Sequence, residues 1–273
     1  MTPLLRSRRT LVGAGILVLL AVVALAAPVL APHDPEAVDA TRVLARPDLV
    51  HPFGSDALGR DVLSRVLFGF RVSLAVALSS VLAACLLAVP LGLIAGYFGG
   101  WVDGLVSRPL DMVLVLPALL LAVSMIAVLG PGSRIAALAI AVIYLTILTR
   151  VMRASTRVSA AQPFVEGARA RGTSHAGVLW RHVLPNSVGA LLVQASLLTG
   201  FALQVEAALS FLGLGAQPPT PSLGLMLSDG RNVLSQAPWV EVFPGLAIVV
   251  TVLALNLLGD GLRSVLDPEG VTS

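Results

Sequence analysis

The chain has 273 residues, of which 56% are hydrophobic and only 12% are charged, and its mean hydropathy is +0.91. A soluble domain of this length normally carries about 25% charged residues, so lipid is the expected solvent for much of this chain. All 18 basic residues are arginine, and a phosphate-binding P-loop requires a lysine, so the chain is not expected to bind ATP through a standard P-loop.

The basic balance of the chain, a formal net charge of +3 with a pI near 10.0, does not predict nucleic-acid binding. The excess charge is small, and most arginines lie near the ends of apolar segments, where they favour the cytoplasmic side of a membrane. Cys85 is the single cysteine and lies inside an apolar run, so neither a disulfide nor a cysteine-based metal site is expected.

Six segments without charged residues follow one another along the chain: Leu11–Leu30, Val72–Val102, Met112–Ser133, Ile135–Thr149, Val183–Val205 and Val242–Gly259. A helix needs about 20 apolar residues to cross about 30 Å of hydrocarbon, and most of these segments are long enough. The fourth is short and crosses only if Arg134 and Arg150 reach opposite interfaces, while Pro131-Gly132 supplies a turn before it. We therefore predict an all-α polytopic membrane protein with six transmembrane helices, in which the third and fourth spans form a hairpin.

The first apolar segment has two interpretations. Arg6, Arg8 and Arg9 precede a run ending in Ala26-Ala27-Pro28, a pattern also found in cleavable signal peptides. The apolar core of a signal peptide usually has about 7 to 15 residues, and this longer run favours a retained first span. A cytoplasmic N-terminus and six spans then place the C-terminus and the loop 150–182 in the cytoplasm. That loop holds six arginines and the outer loop 31–71 holds five, a difference of only one.

Residues 54–71 are predicted to form an amphipathic helix in the outer interface, before the second span. Leu58, Val62, Val66 and Phe70 recur at intervals of four, which is the spacing of one helix face. Ser55 or Asp56 is the expected N-cap of this helix.

The loop between the fourth and fifth spans predicts two short helices. Pro163 suits a first helical turn, and Gly172 is expected to end the helix that begins there. A second helix is predicted from Ser174 to Val183, stopping ahead of Pro185 because proline disfavours helical geometry in the preceding residue. The spacing alone leaves two roles open, a compact docking knob or an ordinary basic connector that fixes topology.

The same loop resembles the EAA loop of ATP-binding-cassette (ABC) importer permeases. The resemblance is carried by Glu166, Gly167, Ala168, Gly172, Leu184 and Pro185. Gly167 departs from the pattern because it replaces the middle alanine, a change that weakens a helix by about 1 kcal/mol. His182 stands where many of these families have isoleucine, and the Arg-His-x-Leu-Pro-Asn form at 181–186 is similar to the peptide-transporting branch.

Further segments extend this resemblance over nearly the whole chain. They are His51 to Asp56, Gly59 to Asp61, Ser64-Arg65, Glu206 to Gly215, Pro218 to Ser222, Pro238-Trp239, Pro244-Gly245, Asn256 to Asp260 and Leu266 to Pro268. Their joint order resembles the C-type subunit of a dipeptide or oligopeptide (Dpp/Opp) importer, whose fold is the type I ABC importer transmembrane domain. The implied divisions are 1–31 (cytoplasmic N-terminus and first span), 32–70 (extracytoplasmic loop), 71–260 (transmembrane domain, with its coupling loop at 152–186) and 261–273 (cytoplasmic tail).

The resemblance implies several partners and no catalytic, metal or cofactor site in this chain. A homologous B-type permease would complete the pathway within the lipid, two ATPase subunits would bind ATP and Mg²⁺, and a solute-binding protein would dock on loops 31–71 and 216–241. The EAA-type loop would enter a groove on the ATPase, with the partner of Glu166 left open. Dipeptides or oligopeptides are the implied substrates, with nickel chelates, haem, opines or cyclic sugars as alternatives on the same architecture. A secondary transporter is a distant alternative.

Charged and histidine residues near the spans give the remaining expectations. Glu206 interrupts an apolar stretch, and either lines the translocation path or makes a fixed contact to a neighbouring helix or backbone. Asp111, Asp260 and Arg263 are expected to anchor helix ends or to form interhelix pairs. The histidines at 33, 51, 175 and 182 are scattered without metal-site spacing, so no histidine ligand set is expected.

Overall fold

The computed structural model describes the backbone of residues 8–266 and the side chains of residues 13–263. In that part of the chain the regular structure is helical, apart from one isolated bridge between Ser55 and Asp61. The helices are α1 (Arg8–Leu25), α2 (Ala27–Leu30), α3 (Val62–Phe98), α4 (Gly100–Val113), α5 (Ala118–Leu129), α6 (Ser133–Ala160), α7 (Pro163–Ala170), α8 (His175–Val178, continued by a π-turn at Leu179–Val183), α9 (Leu184–Phe211), α10 (Leu223–Arg231) and α11 (Trp239–Leu266). The basic side chains of the N-terminus and the tail from residue 264 lie outside the described side chains, as does the Leu266 to Pro268 motif.

Four helices are long and apolar enough to cross a membrane: α3, α6, α8 with α9 as one helix, and α11. The pair α4 and α5 makes a fifth candidate if this bent pair counts as one span. The apolar part of α1 with described side chains is shorter, Gly13–Leu25, and α1 packs along α11. A Cβ on Gly13 would lie 2.8 Å from the backbone nitrogen of Leu258, so the two helices touch backbone to backbone. The described residues thus confirm the all-α prediction and offer four spans, or five if the bent pair is one span, and the six-span count stays a prediction with α1 as the remaining span.

The third span differs from its predicted form. In place of one helix from 112 to 133, α4 ends at Val113 and α5 begins at Ala118, with an angle of 85° between them. Pro117 is the N-cap of α5, and its ring restricts the backbone before it, which explains the break. The helical pair also begins earlier than the predicted third span, at Gly100 instead of Met112. The reason is that Gly99 and Gly100 both take positive φ and end the second span at Phe98.

The fourth span, predicted as the shortest, is a 28-residue helix in the centre of the bundle. Its buried face includes Ile140, Leu148 and Met152, all fully buried against the core shared with α3 and α9. The charge-free run ends at Thr149, yet the helix continues for eleven residues to Ala160, because the arginines beyond that point pair with carboxylates on α4. The prediction was wrong in length because it treated charge as the end of the helix.

The prediction of a separate interfacial helix at 54–71 is also wrong. Residues 54–61 form turns, and Asp61, rather than Ser55 or Asp56, caps α3, which then runs unbroken for 37 residues. Val62, Val66 and Phe70 are buried against α10 and α11, whereas Leu58 lies half exposed in the turn. At 1.5 Å per residue α3 is about 55 Å long and exceeds the hydrocarbon thickness of about 30 Å. The apolar spacing therefore marked the first turns of a long span.

Candidate functional site

The loop between α6 and α9 folds as two short helices, as predicted. We call residues 163–183 the knob. Pro163 begins α7, Gly172 turns the chain at a φ of +79°, and Ser174 caps α8 by accepting a hydrogen bond from the Gly177 N–H. A Cβ at Gly172 would meet nothing within 4 Å, so within this chain glycine is required for its positive φ and not for close approach.

The knob buries one side and exposes the other. Its buried side chains are apolar: Val165, Ala168, Val178, Leu179 and Val183. Glu166 is exposed and makes no ion pair with any described side chain, so an ion-pair partner within the loop is not observed. Phe164 is 43% exposed and Trp180 is 62% exposed, two large apolar side chains that the motif did not single out. The outer surface of the knob therefore combines an unpaired carboxylate with uncovered apolar groups.

Leu184 and Pro185 lie inside a helix, which corrects the predicted stop before proline. The π-turn at Leu179–Val183 spaces its bonds five residues apart, with the Leu184 N–H donating to the Leu179 carbonyl. Pro185, which has no N–H to donate, follows directly after this π-turn as the second residue of α9. Asn186 Nδ2 also donates to the His182 carbonyl at 2.6 Å. The knob thus continues without a break into the 37-residue helix His175–Phe211.

The C-terminal end of α3 touches both helices of the knob through Tyr97. The Tyr97 hydroxyl lies 2.9 Å from His175 Nδ1 on α8 and accepts a hydrogen bond from Arg169 Nε on α7 at 3.2 Å. The Arg169 guanidinium also stacks on the Tyr97 ring, 4.9 Å from its centroid. These partners are 72 and 78 residues away along the chain, so no local sequence pattern could have indicated the contact.

Asp103 on α4 holds the end of α6 that leads into the knob. Its carboxylate accepts hydrogen bonds from Arg153 at 2.7 Å and from Arg157 on the other oxygen. Asp111 pairs with Arg150 at 2.6 Å, which agrees with the interhelix pair predicted for it. The two carboxylates explain how three arginines of α6 are accommodated beside α4.

Glu206 lies near the C-terminal end of α9, in its last two turns, with only 1% of its surface exposed. One carboxylate oxygen accepts a hydrogen bond from Ser210 at 2.7 Å, and Ser73 of α3 is a second neighbouring hydroxyl. The other oxygen has no hydrogen-bond partner among the described atoms. The structure therefore holds Glu206 by a contact within its own helix and leaves half of its carboxylate unsatisfied. Asp260 and Arg263 are both exposed near the end of α11.

Two of the four histidines, which are scattered in sequence, meet in the structure. His33 and His51 are 18 residues apart in sequence, but they stack on each other and converge on Asp61, which is the arrangement of a potential metal-ligand group. The folding of loop 31–61 back on the start of α3 creates this cluster, and sequence spacing did not predict it.

Comparison with known proteins places the chain in a class. The model of the family described as binding-protein-dependent transport system inner membrane component matches residues 88–269, and the N-terminal TM domain of oligopeptide transport permease C matches residues 2–47. The chain therefore belongs to the family of binding-protein-dependent transport system inner membrane components. It is a multi-pass inner-membrane subunit of the translocation pathway of an ABC importer, a class that works with ATPase and binding-protein partners and is not itself enzymatic.

Two individual relatives and one solved structure are similar to most of this chain. The chain is 40% identical over 264 residues to the dipeptide transport system permease protein DppC of Alkalihalophilus pseudofirmus, covering 97% of this chain and 87% of the relative. It is 45% identical over 265 residues to the glutathione transport system permease protein GsiD of Shigella flexneri, covering 97% and 88%. The crystal structure of an amino acid ABC transporter with histidines matches with a TM-score of 0.57 at 16% identity over 72% of this chain and 92% of that one, which supports the fold alone. The predicted resemblance to the Dpp/Opp type is confirmed.

Proposed function

We propose that this chain forms half of the translocation pathway for dipeptides or oligopeptides and that its knob is the docking site for an ATPase. A homologous B-type permease would supply the other half, two ATPase subunits would bind ATP and Mg²⁺, and a solute-binding protein would deliver the substrate. Both termini and the knob would then face the cytoplasm. The two relatives described as dipeptide and glutathione permeases support a peptide substrate.

The observation that carries the docking role is the continuity of the knob with the spans. A force on α8 reaches α9 directly, since the two are one helix, and reaches α3 through Tyr97. The exposed Glu166, Phe164 and Trp180 offer a partner both a charge and apolar area, which is the composition of a protein interface. An ordinary connector would need neither the exposed aromatic side chains nor the contact to α3.

Gly172 provides the test of docking. Gly172→Trp places a bulky side chain on the open side of the turn and should leave the permease inserted, while ATPase co-purification and transport are lost. Gly172→Asn is the matched control, because asparagine tolerates the left-handed conformation and adds little bulk. We expect near-normal coupling in the asparagine variant. Normal co-purification and transport in Gly172→Trp would contradict the docking assignment.

The substrate is tested by reconstituting the complex with its binding protein and measuring ATPase stimulation by candidate ligands. Stimulation by dipeptides or short oligopeptides is expected. Stimulation by a nickel chelate or by haem alone would replace the peptide assignment while leaving the permease role intact.

Glu206 has two possible roles, and the Glu206→Gln variant separates them. Altered substrate affinity in this variant supports a place in the translocation path, and lost folding supports a fixed contact.

A further inference from the structure

Two histidines and one aspartate converge at the start of α3, the end of this helix opposite the knob. His33, His51 and Asp61 each offer one ligand atom, and the three atoms all lie within 4.8 Å of one another. His51 Nδ1 is 2.8 Å from Asp61 Oδ1, and His33 Nδ1 is 3.9 Å from the same oxygen. The two imidazole rings stack with centroids 4.4 Å apart. Donors from two distant parts of the loop are therefore gathered around one carboxylate oxygen.

The second observation is that His33 Nδ1 is a buried nitrogen without a hydrogen-bond partner. Its separation of 3.9 Å from Asp61 Oδ1 is too long for a hydrogen bond. Buried polar atoms are nearly always paired, so an unpaired imidazole nitrogen this close to a carboxylate needs an explanation. A cation between the two histidines and Asp61 would give His33 Nδ1 a partner.

The surrounding contacts hold the three groups in place. The second oxygen of Asp61 accepts hydrogen bonds from the Ser64 N–H and hydroxyl, both at 2.7 Å, which fixes the carboxylate on the first turn of α3. The backbone N–H of His33 donates to the Ser64 hydroxyl at 3.1 Å. The N–H of His51 donates to Asp48 at 2.6 Å, and this bond is the main reason that the pKa of Asp48 is lowered. Such outer contacts orient the ligands of metal sites.

We propose that His33 Nδ1, His51 Nδ1 and Asp61 Oδ1 bind a divalent transition-metal ion, with Zn²⁺ as its reference. Imidazole nitrogen together with one carboxylate suits such an ion, whereas Mg²⁺ and Ca²⁺ prefer oxygen ligands. Bonds of about 2.0–2.1 Å in tetrahedral geometry put ligand atoms about 3.3 Å apart. The observed 2.8 and 3.9 Å lie about half an ångström on either side of that value.

Metal binding would change the tautomer of His51. The short contact between His51 Nδ1 and Asp61 places the imidazole proton on Nδ1 when the carboxylate is ionised, whereas an imidazole that binds a metal through Nδ1 carries its proton on Nε2. A water molecule would complete the fourth position on the side where His33 is 35% exposed. The ion would join the segment that follows α2 to the start of α3, independently of the substrate.

The test uses the full-length chain, purified without a histidine tag and placed in lipid nanodiscs. We expect about one Zn²⁺ per chain to remain after gel filtration at buffered micromolar zinc, and Co²⁺ to give the visible absorption of a tetrahedral site. His33→Phe keeps the ring stack but removes the nitrogen ligand, and should weaken zinc binding by more than about 100-fold. Ser64→Ala removes a hydrogen bond to Asp61 and should weaken zinc binding by about 10- to 100-fold, which is the usual effect of losing a group that orients a metal ligand.

Two controls keep the result interpretable. His182→Phe removes a histidine at the knob and should bind zinc as the unsubstituted chain does. His33→Gln guards against a folding defect specific to phenylalanine, and the unfolding temperature of each variant is recorded in the presence of a chelator. A zinc-induced rise in unfolding temperature is expected in the unsubstituted chain and should be absent in both His33 variants. Equal zinc affinity in all variants, or no zinc retained by the unsubstituted chain, would overturn the proposal and show a hydrogen-bonded cluster only.

Discussion

The two ends of α3 differ in whether the carboxylates near them are buried and paired or exposed and unpaired. At its N-terminal end, Asp56 is 3% exposed and forms ion pairs with Arg60 and Arg65. At its C-terminal end, the knob beside Tyr97 leaves Glu166 exposed and without an ion pair among the described side chains, and leaves Trp180 largely uncovered. The carboxylate of Asp56 is paired within the chain, whereas the knob has surface left for a partner.

This difference indicates where stability and where coupling reside. Buried charges that pair with each other are needed for the fold, because removing one partner leaves the other desolvated. Exposed groups contribute little to the fold, since water already solvates them. Substitutions at the N-terminal end of α3 are thus expected to affect folding, and those in the knob to affect transport.

The largest expected effect is at Asp56. Asp56→Ala leaves the guanidiniums of Arg60 and Arg65 without their nearest carboxylate, and should destabilise the protein by about 3–5 kcal/mol. Thermal unfolding of the purified chain in detergent measures this. Glu166→Ala is the matched control, a carboxylate removed from the knob, and should leave the unfolding temperature unchanged. Equal losses in the two variants would break the comparison between the two ends.

The contact between α3 and α6 should give an intermediate effect. A Cβ on Gly96 would lie 2.6 Å from the Arg153 carbonyl oxygen, which is backbone and cannot move aside easily. Gly96→Val should therefore cost about 1–3 kcal/mol through overpacking. Gly104→Val is the control, because the nearest atom to its Cβ is 3.9 Å away at the end of a flexible arginine. If the Gly104 variant were the less stable, the close packing of these two spans would be disproved.

Local signals explain what could be predicted from the sequence. Pro163 and Gly172 set the start and turn of the knob because proline and glycine restrict or free their own backbone, whatever surrounds them. The apolar segments predicted the spans for a similar reason, because a long apolar segment must be covered by lipid or by other helices whatever its neighbours in the sequence are. The order of the motifs then identified the class of transporter.

Contacts between distant residues explain what could not be predicted. The length of α6 depends on Asp103, about fifty residues away, which pairs with Arg153 and lets the helix continue past its charges. The meeting of His33 with Asp61 depends on the path of the loop between α2 and α3. The role of Pro185 depends on a π-turn, which no spacing rule predicts. In each case a tertiary contact overrides a rule that is sound for an isolated segment.

The smallest and most specific effect is expected at Tyr97, where the two ends of the comparison meet along α3. Tyr97→Phe removes the hydroxyl that joins His175 and Arg169 but keeps the ring, and costs about 1 kcal/mol of contact energy. We expect little change in unfolding temperature and a several-fold loss of substrate-stimulated ATPase activity in the reconstituted complex. Tyr144→Phe, the only other tyrosine and a core residue of α6, is the control and should keep that stimulation. Since the knob also reaches the spans through α9, unchanged stimulation in Tyr97→Phe would mean that α9 alone carries the movement, and a complete loss would mean that α3 carries most of it.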